Sequence, residues 1–427
     1  MLIKMQVNSG DIGELQINVV DGNNVPIKDA RVIISRKTNE NEPLDNETTQ
    51  LEQLSTDSSG QTEVVDLDAP PLEYSLDENN DNMPYANYNV EVDAPGYESE
   101  NIDNVEILPR SLAIQNVKLK KVQGEETENI NIPPHTLYYE YPAKIPEDDI
   151  KDVNEPGEIV LSRVVVPEYI VVHDGTPSSN ARDYYVTYKD YIKNVASSEI
   201  YATWPRATLE ANILAIMSFT LNRVYTEWYR NKGYDFTITS STAYDQKWIN
   251  GRNIFESISV VVDSIFDQYL SFPDVRQPIL TQYCDGRRVT CPNWLSQWGS
   301  CNLGEQGYST LEIIRNYYGS EMYINTAEQI AGIPASWPGY DLTIGSSGQK
   351  VQQIQEQLNT IGKVYTAIGN VNVDGIYGED TQRAVRNFQK IFDLPQTGII
   401  DFATWYKISQ IYIRCQYFFV IKQALKD

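Results

Sequence analysis

The sequence predicts a multidomain protein with an N-terminal β-sandwich, a central α+β domain and a small helical C-terminal domain. At 427 residues, the chain is too long for one ordinary core, and we expect two to four domains. Residues 1–160 carry 33 acidic and 11 basic side chains, whereas residues 161–427 carry 26 and 23. This asymmetry indicates either a solvated surface or a removable or regulatory front segment.

Short strands separated by turns predict the β-sandwich over residues 1–121. Apolar and polar residues alternate along Leu15–Val19 and Tyr88–Val92, and turn signals such as Asp57–Gly60 separate the strands. Strands at this spacing are typical of a small sandwich. The order of these motifs resembles the carboxypeptidase-regulatory-like sandwich, which implies a fold and no catalytic residues.

Residues 122–165 change in character. They are rich in proline and acidic residues and show no hydrophobic period, which is typical of an extended linker. Exposed, extended segments are the preferred sites of proteolysis. We therefore expect an acidic, Pro-rich linker that contains an activation cleavage region.

The composition of residues 166–335 indicates a globular α+β domain. A long helix is predicted after Trp204-Pro205, because proline is tolerated in a first helical turn and an apolar stripe at helical spacing follows. A second helix is predicted over Ile254–Tyr269. Strand signals bracket that second helix at Phe236–Thr239 and Ile279–Tyr283.

Residues 341–410 predict a small helical unit in which two helices flank the turn Asp374–Gly378. This unit resembles the peptidoglycan-binding module of many cell-wall hydrolases. The residues that carry the resemblance include Gly345, Gly348, Val351, Leu358, Asp374–Gly378, Thr381, Val385, Phe388 and Gly398. Tyr377 is the candidate for wall contact, although it could equally serve only to hold the turn. Residues 411–427 are expected to form a helix or tail packed on the body.

Histidine and cysteine counts limit the possible chemistry. The only two histidines, His135 and His173, nearly exclude a Ser-His-Asp triad and a His-rich zinc site. Three of the four cysteines lie close together without C-x-x-C spacing, and they could pair, stay reduced or bind a metal. The cysteines are Cys284, Cys291, Cys301 and Cys415. We therefore predict no metal site and no cofactor.

Several partners and locations are not expected. No basic patch is present to neutralise phosphates, so nucleic acid is not a predicted partner. No run of 18 apolar residues occurs, so no membrane span is predicted. The N-terminus lacks the apolar stretch of a standard secretory signal, so we expect the protein to reach its site by another route.

The stretch from Tyr191 to Arg223 carries the candidate catalytic residue. Glu199 ends a run of small residues and precedes the predicted long helix. Apolar neighbours should raise the pKa of this carboxyl group, so that it is protonated near neutral pH and can act as a general acid. Alternatively, Glu199 only caps or anchors the helix entry. Asp190 and Glu210 are the reserve carboxylates if a second acid is needed.

This stretch resembles the stage II sporulation protein D (SpoIID/LytB) family. The matching runs are Ser198–Ile200 with Trp204-Pro205, and LSQWGSCNLGEQGYSTLEIIRNYYG at Leu295–Gly319. The resemblance implies a SpoIID-like catalytic domain with Glu199 as its acid. Sugar contacts are proposed for Gln246, Tyr283 and Gln297. Each of these side chains could equally satisfy buried backbone groups.

A single carboxylate favours one type of glycan cleavage. An ordinary glycosidase needs two carboxylates that flank the scissile bond. A lytic transglycosylase needs only one acid/base, because the 6-hydroxyl of muramic acid attacks and forms a 1,6-anhydro product. Only Glu199 is well placed by the sequence, so we predict a peptidoglycan lytic transglycosylase.

The domain order as a whole resembles that of the clostridial spore cortex-lytic enzymes. This resemblance implies a zymogen in the cortex or coat region of the spore, activated by a subtilisin-like germination protease and acting on cortex peptidoglycan. The front segment could inhibit by covering the Glu199 cleft or by repelling the anionic wall.

Three other functions remain open. A wall-anchored enhancer of an amidase would cleave nothing itself. An N-acetylmuramoyl-L-alanine amidase would usually need more histidines than this chain has. A wall enzyme of a phage tail would not need an acidic front segment.

Overall fold

The computed structural model of the chain describes most of the sequence. The described residues are 10–22, 24–36, 49–122, 127–148, 164–327, 329–330, 341–392, 394–401, 404–405, 407–409, 411–412 and 415. The α-helices are α1 (Tyr188–Glu199), α2 (Arg206–Tyr225), α3 (Glu256–Ile265), α4 (Gln297–Glu305), α5 (Thr310–Tyr318), α6 (Gln349–Gly362) and α7 (Glu379–Ile391).

The strands divide between the N-terminal region and the central domain. Those of the N-terminal region are β1 (Asp11–Asp21), β2 (Arg31–Arg36), β3 (Thr49–Ser55), β4 (Val65–Ala69), β5 (Ala86–Asp93), β6 (Glu100–Ile107), β7 (Leu112–Leu119) and β8 (Glu128–Asn131). Those that follow are β9 (Val165–Val166), β10 (Tyr169–His173), β11 (Asp183–Thr187), β12 (Ile238–Thr239), β13 (Ile254–Phe255), β14 (Gln268–Ser271), β15 (Tyr283–Cys284), β16 (Leu295–Ser296), β17 (Tyr323–Thr326) and β18 (Gln329–Ile330).

Two sheets build the N-terminal region. Their strand orders are β13-β7-β1-β4 and β3-β2-β5-β6-β8. Alternation along β1 buries Leu15, Ile17 and Val19 on one face. Buried residues from both sheets join one hydrophobic core, as in a sandwich. The predicted sheet-rich N-terminal region is therefore confirmed.

The N-terminal region and the central domain share a sheet. Strand β13 comes from the central part of the chain, yet it pairs antiparallel with β7, with Ile254 opposite Ile114 and Phe255 opposite Ala113. The helix predicted over Ile254–Tyr269 therefore begins only at Glu256. An apolar run does not distinguish a buried strand from a buried helix, and here the open edge of β7 decides between them.

The predicted linker over 122–165 is corrected by the structure for residues 127–148. Strand β8 pairs parallel with β6 and extends the second sheet. The following residues, 132–148, run along the central domain without regular secondary structure and make a turn at 135–139, with Ile132, Leu137 and Lys144 buried. We call residues 132–148 the strap. A Pro-rich segment without a hydrophobic period can still be ordered when its apolar side chains are buried against a neighbouring domain. Residues 149–163 of the predicted linker lie outside the described part of the chain.

The central domain is built around α2. Pro205 occupies its N-cap position, and every residue from Thr208 to Val224 except Glu210 is buried. Helices α1, α3, α4 and α5 pack around it with short strands between them. The predicted long apolar helix is therefore present, and it serves as the axis on which the neighbouring loops are positioned.

The C-terminal module is a small helical unit, as predicted. Helices α6 and α7 flank the turn that contains Gly375, whose φ of 73° favours glycine. Val351, Leu358 and Phe388 are fully buried in a core of its own. The predicted tail over 411–427 lies almost entirely outside the described residues. No helix in the described part of the chain is long and apolar enough to cross a membrane.

One buried ion pair links the two main units. Arg252 Nη1 lies 2.6 Å from Glu106 Oε1, and neither side chain is more than 1% exposed. The Arg252→Met variant should lose about 3 kcal/mol of unfolding free energy, because it leaves a buried carboxylate unpaired. The matched variant Arg110→Met breaks an exposed pair with Asp11 and should change stability by less than about 0.5 kcal/mol. Urea unfolding of both proteins measures the difference.

The pH dependence of Arg252→Met provides an internal check. Burial raises the pKa of Glu106, and the charge of Arg252 opposes that rise. In Arg252→Met the opposition is lost, so the carboxyl pKa rises further. Its stability should therefore fall by a larger total amount than that of the wild type, and over a wider pH range, as pH rises from the unfolded-state pKa through the folded-state pKa. Equal effects of the two arginine variants would show that the buried pair does not join the units.

Candidate active site

Glu199 is the last residue of α1 and is completely buried. The helix ends here because Ile200 is extended, with φ −137° and ψ 149°. The C-terminal end of a helix carries a partial negative charge, which disfavours a carboxylate close to it. The fold therefore places this acid where both burial and the helix dipole work against its ionised form.

Two donors hold the Glu199 carboxyl group. Lys247 N donates to Oε1 at 2.8 Å, and the Tyr283 hydroxyl donates to Oε2. Burial raises the pKa of Glu199; the charge of Lys144 and the hydrogen bonds from Tyr283 and Lys247 oppose that rise. Such an acid can hold a proton closer to neutral pH than an exposed glutamic acid, as general acid catalysis requires.

Lys144 of the strap lies beside this carboxyl group. Its Nζ donates to Asp245 O at 2.7 Å and lies 4.1 Å from the centre of the Tyr283 ring. Burial lowers the pKa of Lys144 to about 8, and the nearby charges of Glu199 and Asp245 limit the fall. Lys144 was not predicted from the sequence, where its only local signal is the pair of apolar neighbours Ala143 and Ile145 within an acidic segment.

The strap is fastened at both ends. Near its start, Thr136 Oγ1 donates to Ser198 O, next to the catalytic candidate. Arg288 donates from Nη1 to Leu137 O at 2.8 Å and from Nη2 to Tyr138 O at 2.6 Å.

Gln282 holds the other end of the strap. Its Nε2 donates to Ile145 O at 2.8 Å, and its Oε1 accepts from Glu147 N at 3.0 Å. The strap is therefore bonded on both sides of Lys144.

Arg223 forms a buried charge cluster that shares Asp245 with Lys144. Its Nη1 and Nη2 donate to the two carboxylate oxygens of Glu147, at 3.0 and 2.6 Å, and its Nε donates to Asp245 Oδ1 at 2.7 Å. Asp245 Oδ2 accepts from Tyr229 and from Thr239. The cluster fixes the loop that supplies Lys247 N to Glu199.

The structure gives Gln246 a positioning role. Its Oε1 accepts from Tyr191 at 3.0 Å and from Thr220 at 2.8 Å, and its Nε2 donates to Ile216 O at 3.0 Å. The side chain is fully buried and well satisfied. We therefore correct its predicted role: Gln246 anchors the loop and is not free to bind sugar.

Tyr283 and Gln297 lie on paired segments at the edge of the site. Tyr283 on β15 pairs with Leu295 on β16, and Gln297 follows directly as the first residue of α4. Tyr283 is buried and orients Glu199. Both polar atoms of the buried Gln297 amide lack a partner among the described residues, which is costly for a side chain of structural function alone.

The predicted wall contact at Tyr377 is corrected by the structure. Its ring is 1% exposed in the core of the C-terminal module, and its hydroxyl donates to Gly398 O at 2.9 Å. The tyrosine therefore holds the fold of the module. Ile376, next to it, is 56% exposed at the same turn.

The cysteines resolve into one bridge and two thiols. Cys284 and Cys291 form a disulfide next to Tyr283, whereas Cys301 and Cys415 are buried and unpaired. Among the described residues, no group of histidine, cysteine and carboxylate side chains could hold a metal ion.

The residue types of a Ser-His-Asp triad do meet, despite the low histidine count. His173 Nδ1 lies 2.7 Å from Asp183 Oδ1, and its Nε2 lies 3.3 Å from Ser179 Oγ. However, the Ser179 hydroxyl donates to Thr176 O at 2.7 Å, and its own carbonyl lies 3.1 Å from Nε2. This cluster closes the loop between β10 and β11 and presents no activated nucleophile.

Comparison with known proteins identifies the C-terminal module. Residues 347–408 match the peptidoglycan binding domain family, so the chain carries a peptidoglycan-binding domain. No curated protein matches the chain.

Solved structures resemble parts of the chain. The SleB N-terminal domain is 28% identical over 18% of this chain and 99% of its own length, with a TM-score of 0.16. The 3-chlorocatechol 1,2-dioxygenase of Rhodococcus opacus 1CP is 15% identical over 27% of this chain and 62% of its own, with a TM-score of 0.20. The minor pilin GBS52 of Streptococcus agalactiae is 16% identical over 30% and 49%, with a TM-score of 0.18.

Proposed function

We propose that the chain is the zymogen of a peptidoglycan lytic transglycosylase that degrades spore cortex during germination. The single observation that carries this proposal is the buried Glu199 carboxyl group, held by Tyr283 and Lys247 N and raised in pKa by burial. The peptidoglycan-binding domain supports the substrate class. The domain order, which is similar to that of the clostridial enzyme SleC, supports the cortex as the target and the spore as the location.

Glu199 would act alone. The three other buried acids among the described residues of the central domain are engaged elsewhere: Asp245 binds Arg223, Tyr229 and Thr239, Asp285 accepts from the backbone after it, and Glu227 pairs with Arg230. A retaining or inverting glycosidase needs a second free carboxylate. A transglycosylase does not, which makes it the mechanism that best fits this set of residues.

The proton balance of the reaction closes on this one group. Protonated Glu199 donates its proton to the glycosidic oxygen as the bond to C1 of muramic acid breaks. The resulting carboxylate then accepts the proton of the 6-hydroxyl as that oxygen bonds to C1. The 1,6-anhydro ring forms without water, and Glu199 returns to its protonated state. Tyr283 would keep the carboxyl group oriented during both transfers.

The strap is the proposed inhibitory element. It contacts Ser198 O and the ring of Tyr283, which holds the Glu199 carboxyl group, and its Lys144 charge favours the carboxylate form, which cannot donate a proton. The front segment could inhibit by covering the Glu199 cleft or by repelling the anionic wall. These contacts support the first of the two routes. A subtilisin-like germination protease would cut within residues 122–165, and release of the strap would follow.

The Glu199→Gln variant tests the assigned acid. We expect it to lose at least about 100-fold in cleavage of cortex fragments, because general acid catalysis is removed. The matched variant Asp190→Asn changes an exposed carboxylate of the same helix and should stay within about twofold of the wild type. Mass spectrometry of the products gives the reaction type: anhydromuramic ends support a transglycosylase, free stem peptides an amidase, and no product an enhancer.

The stability of Glu199→Gln shows whether a loss of activity is chemical. Because burial raises the folded-state pKa of Glu199, ionisation costs the wild type stability as pH rises through that pKa. The glutamine variant lacks this cost, so its unfolding temperature relative to the wild type should increase with pH. Full cleavage activity in Glu199→Gln would remove Glu199 as the acid.

The zymogen proposal predicts a salt-independent increase in activity on cutting. A recognition sequence for a specific protease is inserted within residues 149–163, and activity is measured before and after cleavage at 0.05 and 0.5 M NaCl. If the strap covers the cleft, the uncut chain should be at least about tenfold less active at both salt concentrations. Repulsion by the acidic front segment would instead be relieved by high salt. Equal activity before and after cutting would refute the zymogen.

Loosening the strap should activate the uncut chain. Lys144→Ala removes the hydrogen bond to Asp245 O and the contact with the Tyr283 ring, so basal cleavage by the full chain should rise severalfold. The matched variant Lys118→Ala changes an exposed lysine on β7 and should leave basal cleavage unchanged. If both variants behave like the wild type, Lys144 does not restrain the site.

A further inference from the structure

The strap places a carboxylate, Glu147, on the outer edge of a buried arginine. Both terminal nitrogens of Arg223 donate to it, at 3.0 and 2.6 Å, and the Arg223 side chain has no exposed area. Paired contacts of this kind combine charge with a fixed planar geometry, which single-point lysine contacts lack. The pair joins a residue of the strap to a residue of α2, 76 positions later.

Arg223 is held in place without the help of Glu147. Its Nε donates to Asp245 Oδ1 at 2.7 Å, and Nη2 also donates to Tyr244 O at 3.2 Å. The guanidinium carbon lies 4.9 Å from the Phe219 ring centre and 5.1 Å from that of Trp228. The central domain thus fixes the Nε side of the guanidinium group, and the side with Nη1 and Nη2 faces the strap.

The same loop connects Arg223 to the acid. Asp245 binds Arg223 through its side chain and Lys144 through its carbonyl, and two residues later Lys247 N binds Glu199. A group bound at the outer edge of Arg223 therefore lies at a position set by the loop that orients the catalytic carboxyl group.

We propose that the Nη1–Nη2 edge of Arg223 is a carboxylate-binding subsite of the glycan cleft, and that Glu147 occupies it in the uncut chain in place of the substrate. The ligand would be a carboxylate on the muramoyl unit, either the lactyl group or the end of a short stem peptide. This inference rests on the proposed function for the identity of the cleft. It adds a specificity determinant: carboxylate-bearing glycan competes directly with the strap.

Departure of Glu147 leaves donors of Arg223 that a substrate carboxylate could satisfy. A buried guanidinium that loses one hydrogen-bonded partner retains unpaired donors, and such a group is costly unless water or a new acceptor replaces the carboxylate. A carboxylate from the substrate has the geometry that Glu147 shows. Bound there, it would satisfy Arg223 and at the same time exclude the strap.

The first experiment uses small carboxylates on the uncut full chain. Glu147→Ala vacates the subsite, whereas Glu147→Gln leaves an amide of the same size on Arg223. Sodium acetate replaces sodium chloride at constant ionic strength, and thermal unfolding is followed. We expect a saturable rise in the unfolding temperature of Glu147→Ala and none for Glu147→Gln or the wild type. No rise in Glu147→Ala, or the same rise in Glu147→Gln, would overturn the proposal.

The second experiment identifies the source of the carboxylate. The full chain carrying Glu147→Ala is cut within residues 149–163, and binding of two probe pairs is measured by calorimetry. N-acetylmuramic acid is compared with its carboxamide, and N-acetylmuramoyl-L-alanine with its C-terminal amide. At least about tenfold tighter binding of the acid is expected in one pair, because a paired charged contact is lost in the amide. The probe pair in which the acid binds more tightly than the amide identifies the carboxylate that Arg223 binds.

Arg223→Lys provides the decisive control. It keeps the charge opposite Asp245 but loses the two-pronged edge, so the preference for the acid should shrink to about twofold or less. Preference for neither acid, or preference that survives Arg223→Lys, would refute the subsite. Binding of these probes requires no cleavage, so the result does not depend on whether Glu199 is the catalytic acid.

Discussion

Burial of the Glu199 carboxyl group at the end of α1 constrains the structure around it. A carboxyl group without water needs donors, and two segments distant in sequence supply them. Tyr283 reaches it from β15, and Lys247 N reaches it from the loop after β12. That loop is in turn fixed by Gln246 and by the Asp245–Arg223 pair. These polar groups together hold the Glu199 carboxyl group in one position.

The N-terminal region is held to the central domain by non-covalent contacts as well as by the connecting chain. Strand β13 completes one of its sheets, the buried Glu106–Arg252 pair crosses the boundary, and Trp204 Nε1 donates to Ser75 O at 2.9 Å. The hydrophobic core is continuous across both units. In the proposed zymogen, inhibition is therefore part of the fold, and a cut in the chain leaves these non-covalent contacts to be broken.

Local patterns in the sequence were sufficient for some features and not for others. The helix after Pro205, the alternating strands and the glycine turn of the C-terminal module follow from short-range chemistry. Their packing partners did not follow, because they depend on distant residues: β13 on the open edge of β7, and Lys144 on the Tyr283 ring. Tyr377 was misread because an aromatic residue beside a turn has the same local pattern whether it points outward or into the core.

The candidate site shows the same division. Glu199 was recognisable from its position between small residues and a helix start, and Tyr283 from the run before Asp285. The Glu147–Arg223 pair had no local signal, since its partners are 76 residues apart and one lies in a segment with the composition of a linker. A linker-like composition shows only that a segment has few hydrophobic residues. The few apolar and charged side chains of such a segment can still be buried.

The strap can also be regarded as a ligand that is covalently attached to its own receptor. While the chain is continuous, the effective concentration of Lys144 and Glu147 at the cleft is set by tether length and is in the millimolar range for short tethers. After a cut, the same contacts depend on the total concentration of the two pieces. Occupancy of the cleft would then decrease on dilution, and the cut would convert an occupancy that does not depend on protein concentration into one that does.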